Sequence, residues 1–204
     1  HTSERKVMQK NILMKQRLIL LSLLAAMPLC LFGGPPTYTA HRLGAEAEIT
    51  VDGNLSDWPD LPLLVLGAQD QVASGNWGGP DDAFAKARIA WDADNLYMAI
   101  EVIDDSVVRH RSRDEARQIF QEDCIQWAVD LKNDGGTGYG DDNYEYGFGM
   151  ADEEPIVYRW YASAGWPQGI AEHVDLALVP HPQGGSIYEA AIDFSMLAPL
   201  RNPE

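Results

Sequence analysis

Between Ala87 and Val102 apolar and polar side chains alternate with a period of two. Ala87, Ile89 and Trp91 share one face and Arg88 and Ala90 the other; past Asp92–Asn95, Leu96, Met98, Ile100 and Val102 alternate against Tyr97, Ala99 and Glu101. Period two on both sides of a polar turn predicts a β-hairpin. Asp and Asn suit the turn because their side chains bond nearby backbone groups and tolerate left-handed dihedrals. The register places Trp91 on the apolar stripe, as scaffold and not as an exposed platform.

The same alternation recurs downstream. Asp123–Asp130 sets Ile125, Trp127 and Val129 against Cys124, Gln126 and Ala128, and Tyr144, Tyr146, Phe148 and Met150 alternate with Glu145, Gly147 and Gly149. Further strands are predicted at Ile156–Tyr161, His173–Val179 and Ile187–Phe194, and a short one at Ile49 and Val51 ahead of a turn over Asp52–Asn54. Trp58, next to Pro59, reads as a core plug. Ser112 followed three residues later by Glu115 predicts a short helix over Arg113–Ile119. Residues 67–82 and 132–143 are Gly-rich and loop-like. Short strands between turn residues, with no long helical period, predict an all-β antiparallel sandwich of jelly-roll type with one or two short helices.

The first 34 residues follow another pattern. Lys10, Lys15 and Arg17 precede an apolar run from Leu18 to Phe32, and Gly33 and Gly34 follow. This is the layout of a secretory signal peptide, and the apolar run is shorter than the roughly 20 residues a membrane span needs. Residues 35–44 are expected to be a linker and residues 45–204 one sandwich domain. Residues 1–34 carry five basic residues and one acidic residue, so residues 35–204 hold 10 basic and 30 acidic side chains, a net charge of −20. Such a field repels nucleic acid and anionic membrane surfaces and is compatible with divalent cations and neutral ligands. Of the two cysteines, Cys30 lies in the leader, which leaves Cys124 as a small buried residue without a disulfide partner.

Three motifs, taken in order, carry a resemblance: Val51-Asp52-Gly53-Asn54-Leu55-Ser56-Asp57-Trp58, the hairpin with Trp91-Asp92 and Asn95-Leu96-Tyr97, and Asp123-Cys124-Ile125-Gln126-Trp127-Ala128-Val129-Asp130. With Tyr188-Glu189-Ala190-Ala191-Ile192 as a late strand, the chain resembles the family 9 carbohydrate-binding modules over about residues 45–200. The resemblance implies an exported bacterial β-sandwich, often joined to glycoside hydrolases, that binds mono- or polysaccharide and calcium without cleaving anything. Its first stacking aromatic matches Phe120, its strand carboxylate matches Gln126, and the basic residue of the next strand falls at Tyr146. The partner aromatic of that family lies in strands past Glu204, so the domain is expected to be incomplete at its C-terminal end. Trp77, in a Gly-rich loop, and Trp160 are further candidates to face a sugar.

Calcium has a chemical argument of its own, because hard cations take six to eight oxygen ligands. Asp134, Asp141, Asp142 and Asn143 form one oxygen-rich cluster, and Asp104 with Asp105 a second. No spacing singles out a catalytic carboxylate pair among so many acids; Glu153 and Glu154, adjacent on a strand, would point to opposite faces. Two other readings are open. One is a haem module of a related superfamily, for which Met98, Met150, His110 and His173 are nominees; the other is an adhesion or assembly domain with a degenerate sugar site.

Overall fold

The computed structural model describes residues 38–73, 75–134, 138–163 and 166–197, so the predicted leader lies outside the described residues. Among the described residues ten strands form two sheets: β1 (His41–Arg42), β2 (Leu64–Leu66), β3 (Ala83–Trp91), β4 (Asn95–Asp104), β5 (Ile125–Asp130), β6 (Asn143–Ala151), β7 (Glu154–Tyr161), β8 (Gly169–Ile170), β9 (Val174–Pro180) and β10 (Ser186–Asp193). The first sheet runs β1-β3-β4-β10-β9, with β2 also paired to β3, and the second runs β5-β6-β7-β8. Every pairing is antiparallel except that of β1 with β3. The all-β sandwich expected from the alternation is the architecture observed.

The hairpin is β3–β4, with Trp91 opposite Leu96. Asp92 closes the turn: Oδ1 accepts from the Asp94 and Asn95 N–H groups at 2.8 and 2.7 Å, and Oδ2 accepts from the Tyr97 hydroxyl at 2.9 Å. Inward residues of the first sheet, among them Met98, Ile100, Tyr188, Ala190 and Ile192, meet Tyr144, Tyr146, Phe148 and Val157 of the second to form the main core. Met98 is core filling, as its alternation implies.

Both outer faces are partly covered as well. Leu43 and Trp58 pack on Ala90, Tyr97, Ala99 and Ala191 on the outside of the first sheet. Two expectations change here. Residues 38–44 are not a free linker, because β1 joins the sheet and the buried Leu43 donates to the Trp91 carbonyl at 2.7 Å. Ile49 and Val51 form no strand; they pack as irregular chain against that outer cluster. Strand propensity is overridden where the local backbone has no neighbouring strand to pair with.

Trp58 is the core plug its sequence predicts. It is buried, and its indole N–H donates at 2.7 Å to Glu189 Oε1, while Oε2 of the fully buried Glu189 accepts from the Asp52 and Gly53 N–H groups at 3.0 and 2.7 Å. Gly53 needs to be glycine: its φ is +84°, and a Cβ would stand 2.7 Å from Val179 Cγ1.

Outside the second sheet lies a 3₁₀ helix, Arg113–Gln121, where a short helix was expected. Glu115 reaches back to the Ser112 N–H and hydroxyl at 3.4 and 3.1 Å, as the capping spacing predicts. Ala116 and Ile119, three residues apart and so on one face of a three-residue turn, bury against Ala151 and Ile156. Among the neighbouring arginines, Arg111 pairs with Glu115 and Glu122, and Arg113 with Glu172. Arg109 instead donates to the hydroxyls of Ser186 and Tyr188.

Candidate functional site: the outer face of the second sheet

Which side chains face outward is settled by register. Gln126 pairs with Gly147, and Gly147 with Tyr158; Trp127 pairs with Tyr146, and Tyr146 with Arg159. Since alternate residues point to opposite faces, Gln126, Gly147 and Tyr158 look outward while Tyr146 points into the core. Tyr146 is 0% exposed, stacked on Trp127 at 6.3 Å and parallel to Tyr144. The assignment of Tyr146 to a sugar site is therefore corrected: a one-residue slip moves a strand's whole set of side chains to the other face, and the residue beside Gln126 is Gly147.

That glycine makes room for Trp160. A Cβ on Gly147 would stand 2.6 Å from the indole Cζ3, so the ring lies directly over the bare backbone. The indole N–H donates to the Arg117 carbonyl at 2.8 Å, tying the ring to the 3₁₀ helix. Phe120, at the end of that helix, is 48% exposed and meets Trp160 edge to face, with ring centroids 6.0 Å apart and planes at 75°. Exposed Gln126 lies on the same face, so the fold brings Phe120, Gln126 and Trp160 together. Together they present flat apolar rings beside an amide that both donates and accepts, the combination that suits a sugar's C–H faces and hydroxyls.

Trp77 is elsewhere. Its indole N–H donates to the Ala83 carbonyl at 2.8 Å, and the ring lines an apolar recess of about 230 Å³ with Leu66, Phe84, Val102 and Ile125, at the edges of the two sheets.

β7 contains an irregularity that the sequence does not announce. Glu145 pairs with Tyr161 and Tyr146 with Arg159, which leaves Trp160 as an extra residue in a β-bulge. The bulge lets Trp160 and Tyr161 both turn to the outer face, where strict alternation would have buried one of them. Tyr161 then meets Tyr139, with ring centroids 4.6 Å apart. Adjacent aromatics at a strand's end were the only signal of it.

The acidic loop joins β5 to β6. Asp130, Asp134 and Asp142 bring carboxylate oxygens to within 4.8 Å of one another, the one such group of three acids among the described residues. Oxygens bound at ~2.4 Å to one ion stand no more than about 5 Å apart, so the spacing fits a hard cation. Asp142 is buried; Oδ2 accepts the Lys132 N–H at 2.7 Å, whereas buried Oδ1 has no hydrogen bond and lies 3.7 Å from Lys132 Nζ.

Only part of the expected metal set enters this group. Asp141 points outward to Lys132 Nζ at 2.7 Å, whose hydrogen bond and charge hold its carboxyl below the usual range. Asn143 Oδ1 accepts the Gly140 N–H. Asp104 and Asp105 lie at the end of β4 and line an open recess with Asp81 and Gln183. Asp104 Oδ1 accepts the Ser106 N–H, and burial, with Asp123, Asp105 and Asp82 nearby, pushes its carboxyl up. Asp130 was missed because it ends a strand and lies outside the Gly/Asp run.

Comparison with known proteins agrees with this architecture. A family model described as carbohydrate family 9 binding domain-like matches residues 51–204. Two solved structures are similar in fold. One is a family 9 carbohydrate-binding module from Caldicellulosiruptor kristjanssonii in complex with glucose, at TM-score 0.55 and 16% identity, covering 81% of this chain and 71% of that one. The other is a family 9 module from the same organism in complex with cellotriose, at TM-score 0.56 and 17% identity, covering 81% and 69%. No curated protein matches. By the extent of the family match, this chain belongs to the carbohydrate family 9 binding domain-like family.

Proposed function

We propose that this domain binds carbohydrate on the outer face of its second sheet and does not cleave it. The observation that carries the reading is the exposed Phe120 set edge to face against Trp160, beside exposed Gln126. The rings stack on the C–H face of a pyranose, and the amide of Gln126 exchanges hydrogen bonds with its hydroxyls. Membership of a binding-domain family, and the glucose and cellotriose held by the similar structures, support that choice of ligand.

Calcium at Asp130, Asp134 and Asp142 would stiffen the β5–β6 loop at the edge of that face, a reading supported by the oxygen spacing and the unbonded Asp142 Oδ1. The basic and then apolar pattern of residues 10–34 supports export. Outside the cell, the domain would hold an associated glycoside hydrolase against its polysaccharide.

Isothermal titration of the full chain with glucose, xylose and their trimers tests the reading. Saturable heat that Phe120→Ala weakens about tenfold is the expected result. No heat with any of these sugars overturns it.

A further inference from the structure

Beyond Trp160 the outer face continues. Tyr161, turned outward by the bulge, pairs with Glu145, and Glu145 lies two residues from Gly147 along β6. At the rise of a strand this places a second row roughly 7 Å from the first. Tyr139 is 47% exposed, and its ring lies tilted at 31° to that of Tyr161. The Tyr161 hydroxyl lies 3.3 and 3.1 Å from the carbonyls of Tyr139 and Gly140, so it pins the loop that carries Tyr139 to the sheet. Burial, and the nearby Glu145 carboxylate, raise the Tyr139 hydroxyl above its usual range. The second row thus repeats the chemistry of the first: paired aromatics, one of them open to solvent, beside a polar side chain that accepts hydrogen bonds.

We propose that Tyr139, Tyr161 and Glu145 form a second sugar subsite in line with Phe120, Trp160 and Gln126, so that the ligand is an oligosaccharide chain spanning both rows. This rests on the carbohydrate reading of the first row. The carboxylate of Glu145 accepts hydroxyl protons of the second ring while the tyrosines pack against its face. A single sugar fills the first row alone.

The test is a titration series with glucose, cellobiose and cellotriose, and in parallel xylose and xylotriose, against the wild-type chain, Tyr139→Ala and Tyr161→Phe. For the sugar class that binds, affinity should rise about tenfold from monomer to trimer in wild type. Tyr139→Ala, a change at an exposed position, should abolish that gain and leave monomer affinity unchanged. Tyr161→Phe keeps the ring but releases the loop, so it should lose part of the gain. Equal affinities for monomer and trimer in wild type would overturn the second subsite and leave the first intact. A gain that survives in both variants would overturn its assignment to these residues. Absence of binding by every sugar would bring down the first-row reading and this one together.

Discussion

The indole N–H of Trp58 and the carboxylate of Glu189 meet at 2.7 Å across 131 positions of sequence. Through this bond and the two backbone N–H groups held by Oε2, the irregular N-terminal segment is fastened to β10, which lies between β4 and β9 in the first sheet. The motif around Asp52–Trp58 and the late strand motif around Glu189 are two halves of one contact.

Glu189→Gln should therefore destabilise the domain. An amide oxygen at either position leaves the NH₂ group facing a donor, and the expected loss is about 2 kcal/mol. Glu189→Ala, which orphans three donors, should lose about 3 kcal/mol or more. Denaturant unfolding followed by far-ultraviolet circular dichroism measures both, and a loss below about 0.5 kcal/mol for the alanine variant would show the contact to be unimportant.

Gly147→Ala should displace Trp160, since the new methyl group would occupy the place of the indole. A stability loss of about 1–3 kcal/mol is expected, together with a changed near-ultraviolet dichroism signal and weaker sugar binding. Gly149→Ala is the control: its Cβ would meet Cys124 Cβ at 3.3 Å, a contact that a small shift relieves. Equal effects of the two substitutions would contradict the placement of Trp160.

Calcium should raise the thermal midpoint, because a ligand of the native state stabilises it. Asp142→Asn should remove that rise, while Asp141→Asn, outside the three-carboxylate group, should keep it. Differential scanning calorimetry with saturating calcium and with chelator gives the comparison; a midpoint indifferent to calcium removes the metal from the account.

Burial pushes the Cys124 thiol up to about 11, so at pH 8 only about one molecule in a thousand carries the reactive thiolate. Alkylation of the native protein by iodoacetamide at pH 8 should be far slower than that of the denatured chain, and should accelerate as pH approaches the thiol's pKa. Equal rates in the two states would show Cys124 to be open to solvent.

The turn carboxylate Asp92 offers a pH test. Burial alone would raise its pKa, but the hydrogen bonds from Asp94, Asn95 and Tyr97 outweigh burial and hold it below the usual carboxylate range. A depressed carboxylate stabilises the fold above its unfolded pKa, and the contribution is lost as pH falls through the folded value. The stability gap between wild type and Asp92→Asn should be full at pH 6 and narrow as pH falls through and below the usual carboxylate range, as a series of denaturant titrations down into acid would show. A gap that persists unchanged in acid contradicts an ionised Asp92 in the turn.

Much of this protein is determined by local pattern. The hairpin, the strands β5, β6, β7, β9 and β10 and the capped helix follow from alternation, turn residues and the Ser112–Glu115 spacing, because these depend only on residues close in sequence. The outward side of Gln126, opposite that of Ile125 and Trp127, was legible for the same reason. The tertiary structure alone decided the rest. Whether Tyr146 or Gly147 faces outward depends on register with β5 and β7, which a single strand's alternation leaves two ways to satisfy. The bulge at Trp160 breaks the period that made the strand readable, and Asp130 joins Asp134 and Asp142 only because the β5–β6 connection folds back. The tie between Trp58 and Glu189, like the burial of Leu43, belongs to contacts between distant segments, and no local period encodes them.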